Sequence, residues 1–231
     1  MNESPIALLY DIHGNLAALD AVLAEAEQIG ATSCLLGGDY AAIGPWPRET
    51  AELLDTLPAV VRIRGNVERW LREAPEVPAN AQALVMPAMR AARKSLGPDL
   101  VERLYGLPER ADFDGLLVCH GSPVSDIQSF APDPQDGEEK MLNGVLDRTI
   151  LFGHSHRQFR RDGPNGTLLV NPGSVGAPLD GDPRAAWAIL EDGEIRFRRT
   201  PYDIERAAAQ MRSHGEWAEP LVYRIRHGSD R

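Results

Sequence analysis

A short apolar run, residues 6–10, stops at Asp11-Ile12-His13-Gly14-Asn15 and gives way to apolar residues at helical spacing. A run this short and apolar reads as a buried strand, and the turn after it sets an aspartate and a histidine two positions apart at the strand's C-terminal end. In α/β folds that edge is where ligands collect. A single Asp-x-His turn is as readily a satisfied polar pair. The event recurs, however, and the recurrence constrains the fold. Residues 33–36 end in Gly37-Gly38-Asp39, and residues 59–63 in Arg64-Gly65-Asn66. Residues 115–119 end in His120-Gly121-Ser122-Pro123, and residues 149–152 in Gly153-His154-Ser155-His156.

Helical patterns separate the early strands. Leu16, Leu19, Val22, Leu23, Ala26 and Ile29 share one face, and Gly30 stops that helix. Pro47 suits the first turn of a helix carrying Leu53, Leu54 and Leu57. Residues 80–96 and 98–105 read as helices on either side of Gly97, with Pro87 predicting a kink or break in the first. Residues 122–139, rich in Pro, Asp, Ser and Gln, read as a long loop, followed by a short helix over 141–146. Segments 76–106 and 122–140 are candidate lids, because long irregular segments of compact domains are often functional. Beyond residue 152 the pattern changes to strands 158–161, 167–170, 185–190 and 195–199, joined by turns such as Asp192-Gly193. A helix over 204–211 follows, with an arginine-containing tail expected to be partly disordered. The order predicts mixed sheets covered by helices, in a single domain spanning residues 1–231.

Charge and composition narrow the function. The formal net charge of -10 offers nothing to a polyphosphate backbone, so non-specific nucleic-acid binding is not expected. The only cysteines, Cys34 and Cys119, lie in apolar runs and read as buried free thiols. The chain has no run of transmembrane length, and its N-terminus has no basic stretch leading into a long apolar one. The expectation is a cytoplasmic protein without membrane contact.

The strand-end residues Asp11, His13, Asp39, Asn66, His120, His154 and His156 form one set, and it holds four of the chain's six histidines. A divalent transition ion takes about four to six ligands, so seven nitrogen and oxygen donors plus water suit two ions sharing a bridging carboxylate. The set contains no thiol, which argues against a structural zinc site. Such donors suit manganese, iron, zinc, nickel or cobalt, with manganese the working choice.

These blocks, in this order, resemble the calcineurin-like metallophosphoesterase superfamily: Asp11-Ile12-His13-Gly14-Asn15, Gly38-Asp39, Gly65-Asn66, His120-Gly121 and Gly153-His154-Ser155-His156. Gly44-Pro45-Trp46-Pro47 and Asn171-Pro172-Gly173-Ser174 resemble its small prokaryotic phosphodiesterase branch. The resemblance implies a four-layer αββα sandwich, two mixed sheets face to face between helices. It implies that Asp11, His13 and His156 hold one metal, that Asp39 bridges, and that Asn66, His120 and His154 complete the second. Asn15 would support the first block through hydrogen bonds. The implied activity is phosphodiester hydrolysis of a small nucleotide-like phosphoester by a metal-bridging hydroxide. Alternatives are hydrolysis of dinucleoside polyphosphates, with Trp46 as a base-stacking face, and a non-catalytic scaffold subunit.

Two departures from the family pattern stand out. Many members have a histidine after the asparagine of the third block to assist the leaving group, whereas this chain has Val67 and then Glu68. The second block continues as Tyr40-Ala41-Ala42-Ile43, without the arginine of the Ser/Thr protein phosphatases.

Overall fold

The computed structural model describes residues 4–75 and 77–230. Glu76, the first residue of one candidate lid, and the ends of the expected domain, residues 1–3 and 231, lie outside the described residues. Among the described residues, ten strands form two five-stranded sheets. The first has β1 (Ile6–Leu9), β2 (Ser33–Leu36), β3 (Ala59–Arg62), β9 (Ala185–Glu191) and β10 (Glu194–Thr200), in the order β10-β9-β1-β2-β3. The second has β4 (Arg110–Phe113), β5 (Leu116–Cys119), β6 (Thr149–Leu151), β7 (Gln158–Asp162) and β8 (Leu168–Pro172), in the order β4-β5-β6-β8-β7. Strands β1, β2 and β3 run parallel, as do β5, β6 and β8, while β9 pairs antiparallel with β1 and β10, β4 with β5, and β7 with β8.

Period-two alternation sorts each strand between two cores. In β1, Ala7 and Leu9 face the helices, while Leu8 and the following Tyr10 face the second sheet. In β9, Trp187 and Ile189 face the helices and Ala188 and Leu190 the second sheet. The second sheet answers with Leu116, Val118, Leu151 and Val170. Both faces of the central strands are therefore buried, which is why they read as continuous apolar runs.

Helices α1 (Leu16–Gln28), α2 (Pro47–Thr56), α3 (Asn66–Arg72) and α4 (Ala79–Tyr105) contribute to the core on the first sheet's outer face. The second sheet's outer face carries a thinner layer. Short helix α5 (Glu139–Leu142) supplies Leu142, and the long loop supplies Phe130, which meets Phe152 edge-on at 5.2 Å. The loop is pinned at both ends, by Arg69 to Asp126 and by Arg161 to the buried Glu138. The layers are those of an αββα sandwich, with the fourth made mostly of irregular chain.

Several local expectations need correction. The backbone stays helical through Pro87 and breaks only at Gly97, where φ is 74°. The carbonyl that Pro87 leaves without a donor belongs to exposed Ala83, where water can reach it. The short helix covers Glu139–Leu142 rather than 141–146. The tail after 211 is not disordered over its described residues. Helix α6 (Ile204–Arg212) is followed by α7 (Glu219–His227), and Leu221, Val222 and Ile225 pack on Ala207, Ala208, Met211 and Ala17. Besides α7, helix α3 and strand β4 were not foreseen. Helix α3 buries Val67, Trp70 and Leu71 at helical spacing, and edge strand β4 joins β5 through Asp114-Gly115, both at positive φ. No helix among the described residues is long and apolar enough to cross a membrane.

The inter-sheet core should carry much of the stability. Leu8 is fully buried there, so Leu8→Ala is expected to cost about 2–5 kcal/mol. Leu146→Ala, at a side chain 59% exposed, should stay within about 0.5 kcal/mol of the parent. Urea denaturation midpoints of the two variants check this, and equal midpoints would contradict the placement of the core.

Candidate metal centre

Six parallel strands from two sheets end at one edge, and each ends in a polar turn. Asp11 follows β1, Asp39 lies beyond β2, Asn66 opens α3 after β3, His120 follows β5, and His154 and His156 follow β6. The turns are stitched to one another. The amides of Asp11, His13 and Gly14 donate to the carbonyls of Gly38, Asp39 and Tyr40, and that of Gly153 to the carbonyl of His120.

The backbone holds five of the seven candidates in the left-handed region, with φ of 51° at Asp11, 48° at His13, 57° at Asp39, 64° at His154 and 56° at His156. For a residue with a Cβ this conformation costs on the order of 1–3 kcal/mol and persists only where its surroundings enforce it. Here it turns the side chains inward. Asp11, His13, Asp39, Asn66, His120 and His156 are buried, and His154 is partly exposed.

All seven sequence-selected residues come together. One oxygen or nitrogen from each of Asp11, His13, Asp39 and His156 lies within 4.8 Å of the others, and a second such group joins Asp39, His120 and His154. Asp39 belongs to both. Asn66 Oδ1 sits 3.1 Å from His120 Nε2 and 2.8 Å from His154 Nδ1.

The donor chemistry fits divalent cations. The Nδ1 atoms of His13, His120 and His156 lie 2.9, 2.9 and 2.6 Å from the carbonyls of Ala42, Gly37 and Ala177. A carbonyl can only accept, so Nδ1 carries a proton, and each ring, when neutral, presents its Nε2 lone pair inward. His13 Nε2 and His156 Nε2 stand 3.0 Å apart, two lone pairs facing each other. Asp11 Oδ2 accepts from the His154 amide at 3.0 Å, while Oδ1 is buried with no hydrogen-bond partner among the described residues. That oxygen lies 3.4, 3.8 and 4.0 Å from Nε2 of His156, His120 and His13. A buried carboxylate oxygen is normally hydrogen-bonded. A cation among these atoms would satisfy the oxygen and the lone pairs together.

Without a cation, the site's proton affinities are far from ordinary. Burial pushes the Asp11 carboxyl up to about 8, with the charge of Asp39 adding and His120 opposing. Burial also acts to raise Asp39, but the adjacent His120, its hydrogen bond, His13 and the Val67 amide outweigh it and hold the carboxyl low. His120 is lowered by burial and raised more by Asp39 and Asp11, reaching about 10. Burial lowers His13, His154 and His156, and the guanidinium of Arg224 on α7 adds to the lowering at His13 and His156.

Residues behind the ligands were less visible in the sequence. Glu68 is fully buried and accepts from the amides of Asp39, Tyr40 and Gly65, each at 2.8 Å, tying the second block to the third. A glutamate three residues after the residue preceding a helix is half of a capping box, which was its available signal. Asn171 donates to the Gly153 carbonyl at 2.9 Å and to Ser155 Oγ at 3.0 Å, and Ser174 Oγ donates to the Asp11 carbonyl at 2.6 Å. Asn15 caps α1 at the Ala18 amide and donates to the Gly176 carbonyl at 2.9 Å, the support expected of it. Trp46 packs against the α6–α7 layer with Arg206 5.2 Å from its ring centre.

Beside His120 opens a cavity of about 700 Å³, with Arg69, Arg110, Ser122 and Asp126 in its wall. Arg69 lies three residues beyond Asn66, on the same side of α3, and forms a bidentate pair with Asp126 at 2.7 and 3.0 Å.

Residues 5–193 match the calcineurin-like phosphoesterase superfamily domain. The chain belongs to the calcineurin-like phosphoesterase superfamily. It is 28% identical over 229 residues to an uncharacterised protein of Methanocaldococcus jannaschii, covering 90% of this chain and 91% of that one. The crystal structure of a metallophosphoesterase from Sphaerobacter thermophilus superposes with a TM-score of 0.79 at 27% identity, covering 97% of this chain and 99% of that chain. A hypothetical protein of Pyrococcus horikoshii shares the fold, with a TM-score of 0.81 at 22% identity, covering 98% of this chain and 99% of that one. The family binds divalent metals, and this member carries a buried Asp/His cluster able to hold them.

Metal and protons should compete for the cluster. Ligation needs Asp11 ionised and His120 neutral, whereas with values of about 8 and about 10 both hold protons at pH 7. Binding of Mn²⁺ at pH 7 is therefore expected to release up to two protons, and its affinity to rise with pH up to and beyond 8. Calorimetry in buffers of different ionisation enthalpy measures the release. Metal uptake without proton release would contradict this account of the site's charge.

Proposed function

We propose that this chain is a binuclear-metal-dependent phosphodiesterase that hydrolyses a small nucleotide-like phosphoester. The observation that carries the reading is the unpartnered Asp11 Oδ1 faced by three imidazole Nε2 atoms. We assign Asp11, His13 and His156 to one metal, Asn66, His120 and His154 to the other, and Asp39 to both, as the two groups sharing Asp39 favour. Two such cations, manganese being the first choice, supply Lewis acidity toward phosphoryl oxygens and an acidified water for in-line attack. The protein's part is to orient the donors. The backbone carbonyls fix the imidazole tautomers, Glu68 fixes the turn bearing Asp39, and Asn171 and Ser174 fix the loops bearing His154, His156 and Asp11. The reading takes residues 1–231 as one domain acting in the cytoplasm.

A scaffold subunit would gain nothing from five strained ligand residues and an orphaned carboxylate oxygen, each of which costs stability when no cation is present. That cost favours the enzyme. The cavity beside His120 has room for a small phosphoester.

Removal of the shared carboxylate tests the assignment. Asp39→Ala is expected to lose both metals and to lower phosphodiester turnover by more than about a hundredfold, beyond what loss of a supporting contact costs. Two metals per chain by elemental analysis, with turnover intact, would end the bridging assignment.

The leaving group gives a second test. Val67 has no proton to give, and its side chain belongs to the apolar core under the helices. Glu68 cannot reach out, because burial and three backbone amides hold its carboxylate behind Asp39. A positioned acid is typically worth about 10²–10⁴-fold for a poor leaving group. Rates should therefore depend steeply on leaving-group acidity, with aryl esters cleaved well and alkyl monoesters poorly. Val67→His, which puts an imidazole into that core, is expected to lower the melting temperature without flattening the slope. A series of phosphoesters of graded leaving-group pKa measures it, and a shallow slope in the parent protein would reveal an acid among other residues.

A further inference from the structure

The cavity beside His120 has a charge pattern that the hydrolytic reading does not use. Its wall holds two acids and two arginines. Asp126 is taken by Arg69 at 2.7 Å, and Glu109 by Arg64 at 2.6 Å from outside the wall. That leaves Arg110. It pairs with Cys119 across β4 and β5, one residue before His120, so the strand register fixes it beside the metal centre. Its NH1 donates to the Pro123 carbonyl at 3.2 Å, which holds the guanidinium against the 122–126 loop that lines the cavity. Among the described residues no carboxylate forms an ion pair with it. The hydroxyl of Ser122 lies in the same wall, and no phenylalanine, tyrosine or tryptophan is among the described residues lining the cavity. A guanidinium fork with donors to spare suits a planar carboxylate or a phosphate oxygen pair.

We infer that Arg110 binds a second anionic group of the substrate, a carboxylate or phosphate tethered to the phosphoester held at the metal centre. This rests on the phosphoesterase reading. The substrate class narrows accordingly, to phosphoesters that carry another negative charge a few bonds from the scissile phosphorus. Dinucleoside polyphosphates belong to that class, and simple neutral-armed diesters do not. Because Arg110 is exposed, its gain is that of a hydrated charge-assisted hydrogen bond, about tenfold.

The test uses the full-length, Mn²⁺-loaded protein and two sets of probes. Calorimetry compares propylphosphonate, 4-phosphonobutanoate and propane-1,3-bisphosphonate, which separates a carboxylate from a phosphate preference without any turnover. Kinetics compares p-nitrophenyl diesters whose second arm is propyl, 3-carboxypropyl or 3-phosphonopropyl, all with the same leaving group. At least one doubly anionic probe should bind about tenfold more tightly than its neutral-armed partner, and the preference should appear in KM rather than kcat. Arg110→Gln should abolish most of that preference, and Arg110→Lys should keep part of it. Arg196→Gln, the same charge change on β10, should keep all of it. No preference in the parent protein, or a preference that survives Arg110→Gln, overturns the inference. A binding preference lost with Arg110→Gln in a protein that cleaves none of the diesters supports the anion site and overturns the hydrolytic reading.

Discussion

One buried carboxyl oxygen with no hydrogen-bond partner among the described residues governs the centre of this molecule. Asp11 Oδ1 lies inside a ring of imidazole Nε2 atoms, and His13 Nε2 and His156 Nε2 face each other at 3.0 Å. Like partial charges in a site of low polarity repel strongly, and burial removes the water that would screen them. The arrangement exists only because stiff elements impose it. Two sheets bring six parallel strand ends to one edge, and the apolar contacts between them, from Leu8 and Tyr10 to Leu151 and Val170, keep the edges in register. The inter-sheet core thus supplies the force that holds the ligand turns in left-handed conformations.

Between that core and the ligands lies a layer of single-purpose contacts. Glu68 spends both carboxylate oxygens on three amides, so the turn at Asp39 cannot relax away from the turn at Asn66. Gly44 has the same effect by contact. A Cβ there would meet the His13 carbonyl at 1.4 Å, so the Gly44-Pro45-Trp46-Pro47 turn presses on the backbone that carries His13. The far side of that turn is held by α6 and α7, with His214 Nε2 3.0 Å from the Pro45 carbonyl. The C-terminal helices therefore reach the metal centre through one short turn, although they contribute no ligand.

The sequence was legible where side-chain chemistry and periodicity agree. Buried strands such as 33–36 were clear because both faces are apolar, and the seven candidate ligands stood out because each follows such a strand. Edge strand β4 was not, because Arg110 and Asp112 face solvent and only the Asp114-Gly115 turn marked it. Helix α3 was hidden by the motif it overlaps. Its first residue, Asn66, belongs to a polar turn at the candidate metal centre, and the helical spacing of Val67, Trp70 and Leu71 begins inside that motif. Pro87 shows the limit of a local rule, since the cost of a proline in a helix depends on whether the freed carbonyl can find water. The tail misled for another reason. Its many arginines suggested a solvated segment, but three of them, Arg212, Arg224 and Arg226, pair with Glu219, Asp230 and Glu205, leaving the apolar face of α7 to pack.

The charge balance explains how an acidic chain can still favour an anionic substrate. A net charge of -10 spread over the whole surface is screened within about 8–10 Å at physiological salt. What a small phosphoester meets at close range is the local field. Arg224 contributes to that field at His13 and His156, and Arg69 and Arg110 line the cavity beside His120. Of these, Arg69 and Arg224 are paired with Asp126 and Asp230, so their charge is positioned and partly compensated. The compensation matters for selectivity. An open cluster of unpaired arginines would attract any polyanion, whereas pairing Arg69 and Arg224 with Asp126 and Asp230 limits the positive field to the immediate surroundings of the buried cluster.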